Sequence, residues 1–380
     1  MREEAGSGGG KKRRIVVTGG GTGGHVFPGI AVAREILRHP EAEVLYVGRD
    51  KGPESKWVSE QGLAFSGVRA SGFPRGLSLR WLTFWPDFAL GCFQAARLMG
   101  SFRPGAVFST GGYVSVPVSL SAFFRSVPLY LFEPNLAPGL AAKAMAPLSR
   151  RIFTGLEETV GSFPKGKTEW TGTPLREEIL TAEKSKALAS FGLDAGKTTL
   201  LLLGGSQGAR ALNETLAGAL EFIGQGDHAV QAILMTGWTD YQKTVDRLSG
   251  CGLKTVVRPF IPNIHEAYAA ADLVVARSGA MTCAEIAGRG LPALFIPYPH
   301  ASGHQEANAR ILEKAGAALV CLEKDLEEDK IAQALLALVA DPARLKAMGE
   351  AARKLAKPGA ARDIAERLLE AASQIGRAHV

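Results

Sequence analysis

The stretch of this chain best equipped for chemistry spans residues 272–308. A short apolar strand (272–276) breaks into Arg277-Ser278-Gly279-Ala280-Met281-Thr282-Cys283-Ala284-Glu285, a small-residue loop that opens a helix. A helix N-terminus of Ser, Gly and Ala leaves backbone N–H groups free to face a diphosphate, and the macrodipole favours that anion. Glu285, about two turns along, offers one carboxylate to two neighbouring hydroxyls, as a ribose diol requires. A second buried strand (293–297) leads to His304-Gln305-Glu306-Ala307-Asn308, whose imidazole and amide suit sugar hydroxyls. Diphosphate, ribose and sugar held together describe a nucleotide-sugar site.

Two further turns carry reactive groups. A strand at 15–17 meets Gly19-Gly20-Gly21-Thr22-Gly23-Gly24-His25, and a helix follows with Pro28 near its first turn and Ile30, Ala33 and Leu37 on one face. Strand, glycine turn and helix open a Rossmann unit. Gly19, Gly21 and Gly24 also satisfy the dinucleotide spacing, and Asp50, past the next strand (44–47), stands where such a site wants an acid. A dehydrogenase is therefore an alternative at this point. Five glycines in six positions exceed the needs of a turn and imply close approach of another molecule. The third turn, Thr110-Gly111-Gly112-Tyr113, follows a strand at 106–108.

The second half repeats the pattern. Residues 200–203 form a buried strand, then Gly204-Gly205-Ser206-Gln207-Gly208-Ala209-Arg210, then a helix over about 211–221. Gly and Pro cluster at 171–176, which sets the change of domain there.

On the runs 19–25, 277–285 and 293–297, with His304-Gln305 and Asn308, the chain resembles the MurG family, bacterial transferases that add N-acetylglucosamine to the lipid-linked cell-wall precursor. The resemblance covers roughly 13–375. It implies an α/β fold of the GT-B kind, two Rossmann-like domains facing across a cleft. A mobile tail (1–12) would precede an acceptor and membrane-side domain (13–172) and a UDP-sugar domain (173–358). A helix at 359–380 would return to the first domain.

The implied activity is inverting transfer from UDP-N-acetylglucosamine to the 4-hydroxyl of undecaprenyl-diphosphate-linked N-acetylmuramyl pentapeptide. His25, facing the reacting centre, is the base, since a neutral imidazole suits a hydroxyl that loses its proton as UDP departs. Glu285 is the second catalytic candidate. The donor side takes Thr22, Gly23, Gly24, Arg176, Ser206, Gln207, Ile261, Ala280, Met281, Thr282, Glu285, His304 and Gln305. The acceptor side takes Gly20, Gly21, Thr110, Gly111, Gly112, Tyr113 and Asn135. No cofactor and no metal are implied. The chain lacks any Asp-x-Asp run, so helix N-termini and glycine loops neutralise the leaving diphosphate.

The chain departs from the family's pattern in places. Phe132-Glu133-Pro134-Asn135 stands where the family has His-Glu-Gln-Asn, removing two polar side chains from the acceptor side, and Ala142 replaces an Asn. Thr173-Pro174-Leu175-Arg176 replaces Asn-Pro-Val-Arg, and Pro262 and Asn263 replace acidic residues beside Ile261.

The whole chain bounds these readings. Its 380 residues suit two domains, and 46% hydrophobic content fills two cores. Forty-four Lys and Arg against 37 Asp and Glu give +7, which favours an acidic partner. The basic residues lack any nucleic-acid-binding fold context, so no nucleic acid is expected. Four scattered cysteines show no disulfide or metal spacing and suit a reducing cytosol. No segment reads as a signal peptide or a membrane span. Instead, residues 73–102 carry Phe73, Leu77, Leu79, Trp81, Leu82, Phe84, Trp85, Phe88 and Phe93, interleaved with Arg75, Arg80, Arg97 and the adjoining Arg103. Aromatic and basic residues together suit an anionic membrane surface, and an ordinary buried helix with arginines at its rim is the alternative. The resemblance puts the protein on the cytoplasmic face of the inner membrane, with cell-wall and division proteins as candidate partners. Two other readings remain open: a UDP-sugar transferase making a glycolipid on diacylglycerol, and a non-catalytic membrane-associated nucleotide-binding protein.

Overall fold

The computed structural model describes residues 12–74, 79–204, 209–300 and 303–378. The chain forms two compact units, one running to Pro174 and resuming at Gly359, the other spanning Leu175–Pro358. Each is a parallel sheet with helices packed on it.

In the first unit the strands are β1 (Arg13–Thr18), β2 (Ala42–Arg49), β3 (Ala64–Val68), β4 (Ala106–Ser109), β5 (Leu129–Glu133), β6 (Arg151–Thr154) and β7 (Thr168–Trp170). Their order across the sheet is β3-β2-β1-β4-β5-β6-β7. Successive side chains of a strand alternate between faces. Ile15 and Val17 accordingly enter one core and Val16 the other, so both faces need helices. Helices Gly23–Leu37 and Ala360–Ala378 cover the first face, Arg80–Phe102 and Ser115–Phe124 the second. The terminal helix completes the first core: Ile364, Leu368 and Leu369 are buried with Ile15, Ile30 and Tyr46. At Gly105 any Cβ would collide with the backbone of Ala372, so glycine is what lets this helix approach.

In the second unit β8 (Thr198–Leu203), β9 (Val230–Met235), β10 (Thr255–Arg258), β11 (Leu273–Ala276), β12 (Ala293–Phe295) and β13 (Ala318–Val320) run in the order β10-β9-β8-β11-β12-β13. Leu200 and Leu202 pack against Leu212, Leu216 and Leu220 of helix Arg210–Gly224 and Leu335 of helix Glu328–Val339. Each such buried side chain contributes roughly 1.5–3 kcal/mol.

Both sheets reverse strand order once, between β1 and β4 and between β8 and β11. Ligands of open α/β sheets bind beyond the carboxyl ends of the strands at such reversals. The turns singled out for chemistry leave these very strands: 19–25 after β1, 110–113 after β4 and 277–280 after β11, while residues 205–208, past β8, lie outside the described residues.

The aromatic–basic segment divides between core and surface. Phe84 is buried, and Trp81 is half-buried, stacked on Trp85 and edge-to-face with Phe73. Leu82 (74% exposed), Trp85 (58%) and Phe93 (66%) form an outward stripe at helical spacing, with Arg97 exposed one turn beyond. The purely buried reading therefore fails for that stripe, and the membrane reading fails for Phe84. Arg75 and Leu77 lie outside the described residues. No helix among the described residues is long and apolar enough to cross a membrane.

Candidate functional site

His25 is set by the first two turns of its own unit. Its Nδ1 lies 2.7 Å from the carbonyl oxygen of Thr110. A carbonyl can only accept, so the neutral ring carries its proton on Nδ1 and keeps the lone pair on Nε2. The Thr110 hydroxyl returns the contact, 2.5 Å from the His25 carbonyl and 3.3 Å from that of Thr18. Thr110 is fully buried, so it orients His25 rather than lining an open surface. Gly111 (φ +94°) has the imidazole ring against it, and Gly112 (φ +78°) lies so near the Gly20 carbonyl that a Cβ would clash. Both left-handed conformations and both close approaches require glycine. Gly21 and Tyr113 adjoin these turns, and Tyr113 is partly exposed. Thr22, Gly23 and Gly24, expected on the donor side, belong to this same turn of the first unit and open helix Gly23–Leu37.

The dehydrogenase alternative loses its support here. Asp50 accepts from the backbone N–H of the adjacent Lys51, a local turn contact. The space between the first glycine turn and the end of β2 is filled by Glu54, fully buried and bonded to the Arg49 N–H at 2.8 Å. A Cβ at Gly20, Gly48 or Gly52 would collide with that side chain. A dinucleotide ribose has no room where Glu54 stands.

The Phe132 departure also changes meaning. Phe132 is 1% exposed and packs with Tyr130 and Phe153 in the first core. It fills that core and stands on no exposed face. Pro134 is buried beside Gly155. Asn135, past the end of β5, is bonded to Glu133.

In the second unit the helix Ala280–Arg289 starts at Gly279 with no side-chain cap. Ser278, which sequence pattern makes the natural cap, is fully buried and donates instead to the Gln305 carbonyl at 2.8 Å. The amides at Ala280, Met281 and Thr282 are thus left for an external anion. Asn308 donates to the Ser278 carbonyl (3.4 Å) and the Gln305 amide oxygen accepts from the Tyr298 N–H (3.0 Å). The bonds to Ser278 fasten the start of helix His304–Lys314 to the turn after β11, and the Tyr298 bond ties it to the segment after β12. Arg277 is a bracket: it donates to the carbonyls of Ile296 and Pro297, pairs with Glu323 and lies over Tyr298.

Arg176 and Glu285, 109 positions apart, come together at 3.4 Å. Glu285 is 7% exposed and receives the hydroxyl of buried Tyr268. Burial pushes the Glu285 carboxyl above its ordinary value, and Arg176 and Tyr268 counter this only in part. Ile261, past β10, is buried with Phe260 exposed beside it. Ser206 and Gln207 lie outside the described residues. Among the described residues, no group of three or more His, Cys, Asp or Glu is disposed to hold a metal ion.

Three residues escaped the sequence reading: Glu54, Glu133 and Tyr268. Glu133 lies inside a motif that was quoted, whereas Glu54 and Tyr268 carry no local signal, because only the fold brings them to their partners.

Fold and site together define a two-unit α/β protein with small-residue turns at the strand reversals of its parallel sheets. The glycosyltransferase family 28 N-terminal domain matches residues 15–154, and the C-terminal domain of that family matches 199–368. The UDP-N-acetylglucosamine–N-acetylmuramyl-(pentapeptide) pyrophosphoryl-undecaprenol N-acetylglucosamine transferase of Halothermothrix orenii is 39% identical over 349 residues, 89% of this chain and 94% of that protein. The transferase of the same name from Listeria welshimeri is 36% identical over 92% of this chain and 96% of its own. The crystal structure of Acinetobacter baumannii MurG matches with a TM-score of 0.74 at 25% identity, covering 94% of this chain and 99% of that one. The chain belongs to the MurG family of glycosyltransferases.

Proposed function

We propose that the protein transfers N-acetylglucosamine from UDP-N-acetylglucosamine to the 4-hydroxyl of undecaprenyl-diphosphate-linked N-acetylmuramyl pentapeptide, with inversion, in peptidoglycan synthesis. The observation that carries the chemistry is the Nδ1 contact of His25 with the Thr110 carbonyl, which leaves Nε2 as a base. Nε2 takes the proton of the attacking hydroxyl while the bond from the anomeric carbon to UDP breaks. The charge that develops on the departing diphosphate is met by the amides of Ala280, Met281 and Thr282 and by Arg176. Glu285 receives the ribose hydroxyls. His304 and Gln305 face the sugar, Ile261 frames the uracil with its backbone, and Ser206 and Gln207 complete the donor loops. Gly20, Gly21, Tyr113 and Asn135 meet the acceptor.

The acceptor's lipid lies in a membrane, and the exposed stripe Leu82, Trp85 and Phe93 with Arg97 supports peripheral docking on an anionic, cytoplasmic leaflet. Product analysis tests the reading. Purified protein, labelled UDP-N-acetylglucosamine and the lipid-linked muramyl acceptor should yield one β-linked glycolipid. Transfer to diacylglycerol in preference to that acceptor would replace it with the glycolipid-synthase reading.

A further inference from the structure

Glu133 ends β5 and is 3% exposed, yet both of its carboxylate oxygens are occupied. Oε1 accepts from the Asn135 backbone N–H at 3.0 Å and from the Asn135 side-chain Nδ2 at 2.9 Å. Oε2 accepts from the Gly139 N–H at 2.9 Å. The Asn135 carbonyl in turn accepts from the Thr159 hydroxyl at 3.0 Å, so Asn135 is tied down from two directions. Gly139 then starts helix Leu140–Met145, and the loop between them is closed on one side chain.

Three N–H donors converging on both ends of one group admit only a carboxylate. A glutamine at this position offers one acceptor oxygen, and its NH2 must face either the Gly139 N–H or the Asn135 donors. An aspartate is one methylene short of reaching both.

We infer that Glu133 is the positioning residue of the acceptor loop: it holds the Asn135 amide in one orientation, and that orientation presents Asn135 to the sugar or peptide part of the lipid-linked acceptor. This rests on the proposed function. Glu133 touches no substrate, so its loss acts through Asn135.

The test uses the full chain in steady-state assays that vary donor and acceptor separately. Glu133→Gln is expected to raise the acceptor KM tenfold or more, with the donor KM within twofold of wild type. Asn135→Ala should do the same, and the double variant should be no worse than Asn135→Ala alone, since two residues acting through one contact are non-additive. A wild-type acceptor KM in Glu133→Gln, or effects of the two changes that multiply, overturns the inference. A general loss of structure would instead lower the melting temperature and the apparent kcat, without a selective rise in the acceptor KM. Should Glu133→Gln not fold, Thr159→Val removes the other tether of Asn135. A raised acceptor KM with an unchanged donor KM then supports the inference, and an unchanged acceptor KM overturns it. Wild-type protein that transfers nothing to the lipid-linked acceptor defeats the proposed function itself, an outcome distinct from all of these.

Discussion

Replacing Glu285 by Gln keeps the side-chain volume and removes the charge. In the structure the carboxylate has two polar neighbours, the Tyr268 hydroxyl and Arg176 Nη2, the latter at 3.4 Å, long for a charge-assisted bond. Its burial is therefore undercompensated, which is why its proton affinity is raised. On the proposed reading, two ribose hydroxyls supply the missing donors. A bond to a charged acceptor is worth about 1 kcal/mol more than a neutral one, so two lost charge assistances cost about 2 kcal/mol, roughly 30-fold and within a range of about 10- to 150-fold in kcat/KM for the donor. The carboxyl titrates higher when folded than the ordinary 4.5, so the stability it contributes is full below 4.5 and declines as pH rises through the raised value. Donor affinity runs the other way. The ribose needs the carboxylate, so affinity rises with pH across the same window, and donor binding there releases a proton. Donor-dependent kcat/KM against pH, with calorimetry in two buffers of different ionisation enthalpy, reads both effects, and Glu285→Gln should flatten the pH trend. An unchanged kcat/KM in the variant, or proton uptake on binding, would refute the assignment of Glu285 to the ribose.

Three further outcomes follow from the same geometry. His25→Ala should lower kcat by about 10²- to 10⁴-fold, the span of general-base catalysis, with UDP affinity unchanged; collapse of UDP binding with surviving turnover would remove His25 from the base role. The triple variant Leu82→Ser, Trp85→Ser, Phe93→Ser changes exposed residues only, so it should keep its melting temperature and lose co-sedimentation with anionic vesicles. Vesicle binding equal to wild type would move the membrane contact elsewhere. With the diphosphate met by helix amides and Arg176, transfer should persist in excess chelator, and a loss that Mg or Mn restores would contradict that.

Much of this was legible in the chain because short motifs fold locally. The glycine turns and the buried strands before them announce two parallel sheets, since strand, turn and helix are fixed by neighbouring residues. The turn 277–280 and the residues 304–308, expected to serve one ligand, lie bonded to one another. How they join was hidden: Ser278 looks like a helix cap and instead bonds the Gln305 carbonyl. Phe132 read as a lost ligand because sequence shows no side of a strand; in the sheet it alternates into the core. Trp81, Phe84 and Trp85 form one aromatic cluster by spacing, yet a helix face divides them, burying Phe84 and exposing Trp85. Tyr268 and Glu54 act on residues far along the chain or across a turn, and nothing beside them marks it.

On the proposed reading, transfer from UDP-N-acetylglucosamine to the lipid-linked muramyl acceptor depends on His25. UDP release by the purified protein, measured with and without that acceptor, tests it most directly. Release should depend on the acceptor, rise to a saturating rate with it, and fall to background in His25→Ala. Release at one rate whether or not acceptor is present, or none under either condition despite UDP binding, would contradict the account.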